Sequence, residues 1–342
     1  MDDFKSLFIN DIPLIDVRAP VEFDAGHFPT SINLPLMTNE ERHLIGIRYK
    51  ESGQDSAIQL GHELVNGKVK ENRIAAWVKF KATHPTAKLY CFRGGLRSKI
   101  SQQWIKEAGV EIEIIPGGYK ALRHFMMETI EIAAKELKFI VLAGRTGSGK
   151  TSFFKKSKTP FIDLEKHANH RGSSFGSQGT QPAQITFENR IAVDFLKCEG
   201  ASPLLIEDES FTIGGVAMPS VLFRKMAESP MIVLDRSLAE RVDHIVREYV
   251  LENNQTHLFM VEGLNRIHKK LGGLNHALIL KQMNEAFQSA EKNSIEPHRI
   301  WVESLLVHYY DQFYDRAIKR NAARIVFQGD ERQCLDYLLS LE

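Results

Sequence analysis

The sequence predicts an α/β protein with two parallel-sheet domains, the second ending in a helical region. Short apolar runs of strand length alternate with segments of helical period, the pattern of doubly wound sheets. Two glycine-rich loops each follow directly on such a run and precede a helix-like stretch. The 342 residues also exceed the roughly 100–200 of a single domain, so two cores are expected.

In chain order, Ile12-Pro13-Leu14-Ile15-Asp16-Val17 is an apolar run with a carboxylate near its end, as a buried parallel strand reads. Ala87 to Tyr90 and Val110 to Ile114 are the next strand candidates. Between them Ile100, Trp104, Ile105 and Ala108 recur at helical spacing, and Gly109 is placed to end that helix. Pro116-Gly117-Gly118 makes a turn, and Tyr119 to Leu137 then has few breakers and repeated Glu, Ala and Leu. A second α/β unit starts at the apolar run Lys138 to Ala143, with further strand-like runs at 160–163, 203–207 and 230–234. From about Leu238 the pattern is mostly helical, with a turn at Gly272-Gly273. The division expected is a first domain over 1–125, a connecting helix over 126–137 and a second domain over 138–342.

Lys+Arg 44 and Asp+Glu 43 nearly cancel, so a nucleic-acid partner would have to meet a local basic surface. Cys91, Cys198 and Cys334 are too few and too widely spaced for a disulfide framework or a zinc knuckle, and they suit a reducing compartment. Met1-Asp2-Asp3-Phe4-Lys5 lacks the basic and apolar regions of a signal peptide, and no apolar run approaches the roughly 18 residues of a membrane span. A soluble cytoplasmic protein with no membrane partner is expected.

The first glycine-rich loop carries a thiol. Cys91 closes a strand candidate, and Phe92-Arg93-Gly94-Gly95-Leu96-Arg97-Ser98 leads into a helix. Backbone N–H groups at a helix N-terminus and two nearby guanidinium groups lower a thiol pKa and make the thiolate a nucleophile at neutral pH. A free cysteine closing a strand is also an ordinary core residue. However, Gly94-Gly95 flanked by Arg93 and Arg97 fills a core poorly and forms an anion nest well.

Leu14-Ile15-Asp16-Val17-Arg18, Glu22-Phe23, Gly26-His27, Ile32-Asn33-Leu34-Pro35, Cys91 and Pro116-Gly117-Gly118-Tyr119 follow one another as landmarks do in the rhodanese superfamily, which the first 125 residues or so resemble. An insertion over about 39–83 interrupts the likeness. The resemblance implies a cysteine that carries sulfur or selenium. Cys91 to Arg97 is spaced C-x-x-x-x-x-R and followed by Ser98, the longer loop with which rhodanese-fold phosphatases wrap a phosphate dianion. A loop of this size also suits selenophosphate.

The second loop, Gly144-Arg145-Thr146-Gly147-Ser148-Gly149-Lys150-Thr151, matches G-x-x-x-x-G-K-T and has the required strand before it and helix after it. Its N–H groups should hold phosphate oxygens, Lys150 should reach the terminal phosphate, and Thr151 is of the type to ligate Mg²⁺. The octet identifies polyphosphate and not the molecule that carries it. Glu207 and Asp208 end a strand where a Walker B acid would lie, although a charged turn after a buried strand reads the same way. Asp163 is a third candidate acid. His170-Arg171-Gly172-Ser173-Ser174-Phe175-Gly176 is a polar stretch that could grip substrate through His170, Arg171, Ser173 and Ser174. Near the C-terminus Tyr310, Tyr314, Arg316, Lys319 and Arg320 interleave rings and cations at helical spacing, which suits stacking on RNA bases and equally a half-buried helix with a solvated basic face.

The two loops together, with Tyr49-Lys50-Glu51-Ser52-Gly53, Leu60-Gly61-His62, Asp163-Leu164-Glu165 and the 170–176 stretch, resemble the bacterial tRNA 2-selenouridine synthase family along nearly the whole chain. That resemblance implies conversion of 2-thiouridine to 2-selenouridine at the tRNA wobble position. Sulfur is first alkylated from geranyl diphosphate, and selenophosphate then supplies selenium. Under this reading Cys91 handles selenium and the phosphate loop seats the diphosphate. No tightly bound cofactor is implied beyond Mg²⁺ at Thr151, and a selenophosphate-supplying enzyme is an expected partner. A phosphatase fused to a nucleotide-binding module and a non-enzymatic RNA-binding adaptor are the rival readings.

Overall fold

The computed structural model describes residues 2–171, 173–176, 179–252 and 256–341. The chain forms two compact units, Met1–Ile132 with Pro182–Lys197 and Ala133–Gln181 with Cys198–Glu342.

The first unit is built on a parallel sheet of β1 (Leu14–Asp16), β2 (Ser31–Asn33), β3 (Lys88–Tyr90) and β4 (Glu113–Ile114) in the order β2-β1-β3-β4. Ile15, Val17, Leu89, Trp77, Trp104 and Ile105 form its buried centre. The 39–83 insertion is two helices, Asn39–Leu64 and Gly67–Thr83. Thr38 and Glu41 start the first with a reciprocal cap, and Gly53 interrupts it at φ 79°. Trp77 Nε1 donates to the Leu34 carbonyl at 2.8 Å, tying the second helix to the chain beyond β2.

The helix Gln184–Lys197 also belongs to this unit, although the linear division at residue 138 assigns it to the second domain. Asn189, fully buried, donates to the His27 carbonyl at 2.9 Å and accepts from Arg123 at 2.7 Å. A Cβ on Gly26 would lie 2.6 Å from Ile185, so this helix rests directly on the Gly26-His27 landmark.

The second unit is a five-stranded parallel sheet ordered β11-β10-β5-β7-β6. It comprises β5 (Phe139–Ala143), β6 (Phe161–Ile162), β7 (Leu204–Glu207), β10 (Met231–Leu234) and β11 (Ile325–Gly329), with a separate hairpin of β8 (Thr212–Ile213) and β9 (Val216–Ala217). β5, β7 and β10 are buried at every residue. That leaves the loop after β5 at the C-terminal edge between two neighbouring strands, where open α/β sheets hold ligands. The chain beyond Leu238 is mostly helical, as the sequence predicts, and β11 is the strand it adds to the sheet. Its residues alternate between half-buried and exposed, as an edge strand covered on one face does, and five residues carry too little period to stand out among helices. The hairpin and β2, of two or three residues per strand, are likewise too short to carry a period. The helical remainder packs around Val246, Leu264, Ile279, Trp301, Val302 and Leu306. Two stretches in it, Val246–Glu252 and Leu306–Tyr310, are π-helical.

Candidate functional site

Cys91 follows β3 directly, and the helix Leu96–Glu107 begins at Gly95. The Pro116-Gly117-Gly118 turn closes over this loop. Tyr119 N–H donates to the Cys91 carbonyl at 2.8 Å and Lys120 N–H to the Phe92 carbonyl at 3.0 Å. A Cβ on Gly118 would meet the Cys91 carbonyl oxygen at 2.3 Å, so only glycine allows this approach. Below the loop, Asp16 and Arg18 form a fully buried pair at 2.6 Å, and the guanidinium lies 3.8 Å from the Tyr119 ring centre.

The Cys91 side chain is buried. Burial pushes its thiol pKa up, but the Ser98 hydroxyl, the Arg93 and Ser98 N–H groups and the Arg97 charge outweigh that and hold it below the usual thiol value. The Ser98 hydroxyl is buried and makes no hydrogen bond of ordinary geometry among the described residues, so it acts on the sulfur as a nearby dipole. Arg93 is exposed and makes no ion pair among the described residues. Arg97 instead holds Glu22, with Nη1 2.7 Å from Oε2. Glu22 also accepts from Arg42 at 3.1 Å. Burial raises the Glu22 pKa, and Arg97 and Arg42 more than offset it, keeping the carboxyl ionised below its ordinary range. The sequence showed Glu22 as a landmark and not as the partner of Arg97, because the pairing joins residues 75 positions apart.

In the second unit the loop from Gly144 to Gly149 joins β5 to the helix Lys150–Lys156. Gly149 starts that helix at φ 84°, a left-handed conformation that other residues resist. Ser148 Oγ is buried without a partner among the described residues. Lys150 Nζ lies 3.8 Å from Glu207 at the end of β7. Burial disfavours the Lys150 charge, and Tyr314, Glu207, Glu165 and Glu209 overcome this and raise its pKa.

Glu165, Glu207 and Glu209 bring carboxylate oxygens within 4.8 Å of one another. Burial, then the mutual repulsion of these acids, pushes Glu207 and Glu209 well up from the ordinary carboxylate range. A divalent cation would relieve that repulsion, and hard oxygen donors suit Mg²⁺. The sequence reading names Asp163, Glu207 and Asp208. Of these Glu207 sits in the cluster. Asp163 caps the helix Leu164–Ala168 by accepting from Lys166 N–H at 2.9 Å, and Asp208 lines a cavity with Glu209, Arg320 and Arg324. Glu165 and Glu209 complete the cluster; in the sequence Glu165 stands in the Asp163-Leu164-Glu165 run and Glu209 directly follows Glu207-Asp208.

Arg171, Ser173, Glu248, Tyr249 and Tyr314 line the space in front of the phosphate loop. Arg171 pairs with Glu248 at 3.2 Å. The His170 backbone N–H donates to the Glu165 carbonyl at 3.0 Å, and burial lowers its imidazole pKa. The Ser174 carbonyl accepts from Arg266. Gly172, within the same stretch, lies outside the described residues.

The helix Asp311–Arg320 presents two faces. Asp311 and Asp315 turn toward the phosphate loop, Asp315 bonding Arg145 at 2.6 Å and Asp311 bonding Arg241, which also donates to the Thr146 carbonyl at 3.2 Å. Arg316, Lys319 and Arg320 are exposed. Tyr310 and Tyr314 line a cavity of about 800 Å³ with Phe211, Phe223, Tyr309, Phe313 and Arg320.

A thiol loop of low pKa on one parallel sheet, and a phosphate-binding loop backed by carboxylates on another, define a rhodanese-like domain joined to a P-loop domain. The rhodanese-like domain model matches residues 1–124, and the tRNA 2-selenouridine synthase AAA domain model matches residues 137–342. The tRNA 2-selenouridine synthase of Bordetella bronchiseptica is 46% identical over 98% of this chain and 96% of its own length. Those of Sulfurovum sp. and Marinobacter nauticus are 45% and 44% identical, covering 98% and 96% of this chain and 97% and 94% of theirs. The chain belongs to the tRNA 2-selenouridine synthase family.

No helix among the described residues is long and apolar enough to cross a membrane.

Proposed function

We propose that this chain is a tRNA-modifying enzyme that converts wobble 2-thiouridine to 2-selenouridine through S-geranyl-2-thiouridine, using geranyl diphosphate and selenophosphate. The observation that carries this reading is the pairing, in one chain of this family, of a thiol acidified by the Ser98 hydroxyl, loop N–H groups and the Arg97 charge with a phosphate cradle.

In the first step the thiocarbonyl sulfur attacks the allylic carbon of geranyl diphosphate, the C–O bond breaks, and diphosphate and a proton leave. Gly144 to Thr151 seat the diphosphate, and Lys150 takes up the charge growing on it, which stabilises the leaving group. Mg²⁺, when bound, would be held by Thr151 with Glu165, Glu207 and Glu209, and it would supply further charge neutralisation.

In the second step selenium from selenophosphate adds at C2 and geranyl thiolate departs. A thiocarbonyl sulfur leaves poorly, whereas the thioether on an electron-poor pyrimidine leaves as a thiol. Hydrolysis of the Se–P bond then releases phosphate. Cys91 handles selenium, either by attacking the donor's phosphorus, which breaks the Se–P bond, frees hydroselenide for C2 and leaves an S-phosphocysteine for water to hydrolyse, or by holding the donor, with Arg93 and the loop amides on its phosphate-like part. Arg316, Lys319 and Arg320 would meet tRNA phosphates, and Tyr310 and Tyr314 would face a base. Selenophosphate implies an enzyme that supplies it.

The phosphatase reading needs an acid to protonate its leaving group. Glu22, the carboxylate on Arg97, is ionised and held by two arginines, which makes it a poor proton donor.

The test incubates the full-length protein with 2-thiouridine tRNA, geranyl diphosphate and selenophosphate, and weighs the digested nucleosides. Geranylated and then selenated uridine is expected. Phosphate release from phosphoesters without any change in the nucleoside would favour the phosphatase, and tRNA binding with no chemistry would favour the adaptor.

A further inference from the structure

A cavity of about 350 Å³ opens beside the Cys91 loop, and neither the thiol chemistry nor the phosphate cradle uses it. Its walls come from the inserted helix Asn39–Leu64, through Ile58 and Gly61, and from the helix after the loop, through Leu96, Arg97, Ile100 and Trp104. Trp104 and Ile100 also pack in the apolar cluster that contains Cys91. Leu96 and Tyr49, on the rim, are 46% and 57% exposed. Protein interiors leave few voids larger than a water molecule, and a space this large falls within the roughly 300–1,000 Å³ of ligand pockets.

A small, charged selenium donor gains nothing from such a chamber. We infer that it takes the geranyl chain of the S-geranylated wobble base, so that the Cys91 site accepts the alkylated base in preference to plain 2-thiouridine. This rests on the reading that S-geranyl-2-thiouridine is the intermediate.

Charge selects this occupant over geranyl diphosphate. A diphosphate needs cations, and among the described residues the one Lys or Arg on these walls is Arg97, already bonded to Glu22 at 2.7 Å. A neutral thioether needs none. Its ten carbons would be removed from water along the apolar walls, with the sulfur and base left toward the loop where selenium arrives. Gly61 leaves part of this room. A Cβ there would meet only Ile45 Cδ1, at an ordinary 3.5 Å, and its backbone is helical, so a larger side chain would extend into the cavity without strain.

The test compares selenation of preformed S-geranyl and S-dimethylallyl anticodon stem-loop RNAs by the full-length protein and by Gly61→Leu, reading kcat and KM for each RNA. The wild type is expected to favour the ten-carbon chain by tenfold or more, through KM. Gly61→Leu should erase or reverse that preference, and Ile58→Phe provides a second filling variant if the first does not fold. An unchanged chain-length preference in a folded variant would overturn the assignment. So would loss of alkylation by geranyl diphosphate with selenation of the S-geranyl RNA intact, since the cavity would then serve the donor. If the wild type selenates 2-thiouridine RNA equally well without any alkyl group, the intermediate itself fails, an outcome distinct from failure of the cavity alone.

Discussion

Arg97 meets Glu22 through two hydrogen bonds, Nη1 to Oε2 at 2.7 Å and Nη2 to Oε1 at 3.2 Å, so the guanidinium beside the Cys91 loop is held in place by a carboxylate. A planar fork is needed for that geometry, and an ammonium cannot reproduce it. Arg97→Lys should lower selenium transfer by about ten- to a hundredfold, the worth of one charge-assisted hydrogen bond at about 1.5–3 kcal/mol. Transfer at the parental rate, measured by nucleoside mass spectrometry, would show that the pair contributes nothing to the step.

The acidified thiol is open to direct titration. Alkylation of Cys91 by iodoacetamide, followed by peptide mass spectrometry across pH, should reach half its maximal rate below the roughly 8.5 of a free cysteine. The hydroxyl, amides and guanidinium around it favour the thiolate. Ser98→Ala removes one of them and should move the midpoint up. A midpoint at or above the free value in the parental protein would contradict the site's electrostatics.

Cys91→Ser should convert 2-thiouridine tRNA to its geranylated form and stop there, because a hydroxyl cannot stand in for a thiolate at neutral pH. Accumulation of S-geranyl-2-thiouridine is the readout. Selenouridine at the normal rate would dismiss Cys91 from selenium handling.

Lys150→Ala should reduce geranyl transfer by about 10²–10³, as loss of one charge-stabilising donor does in other enzymes, and should weaken binding of geranyl diphosphate in calorimetry. The fold should persist, since Glu207 already has a raised pKa and can take a proton when its cation is removed. Undiminished alkylation would remove the phosphate loop from the mechanism.

Asp16→Ala leaves the Arg18 guanidinium, 2% exposed, without its carboxylate. Uncompensated buried charge costs about 3–5 kcal/mol, which urea denaturation would report as an earlier midpoint. An unchanged midpoint would mean that water or a shifted side chain replaces the pair.

Both loops are legible in the letters because each is a contiguous run whose glycines and cations must stay adjacent to work. The strands that present them are legible for a similar reason, since a buried parallel strand is an unbroken apolar run. What escapes sequence reading is assembled from distant parts. Glu22 reaches Arg97, and Glu165 joins Glu207 and Glu209, only after strands have aligned, and no local period records either event. Asp163 shows the converse. It reads as a site acid, and besides bearing on Glu207 by its charge it caps a helix, a role that the same letter fills at many helix starts. The basic helix Asp311–Arg320 was half legible. Its cations are plain in the sequence, but the face that Asp311 and Asp315 turn to the phosphate loop depends on tertiary partners.

The placement of Gln184–Lys197 bears on how this molecule can be cut. The chain leaves the first unit at residue 132, returns to it at 182 and leaves again after 197. A fragment ending near residue 132 would expose Gly26 and lose the partner of the His27 carbonyl. A fragment starting near 137 would carry an amphipathic helix with nothing to cover its buried face. No single scission yields two intact halves, so dissecting the thiol chemistry from the phosphate cradle calls for point substitutions in the whole chain, or for a first-unit fragment with residues 182–197 grafted back through a designed connection.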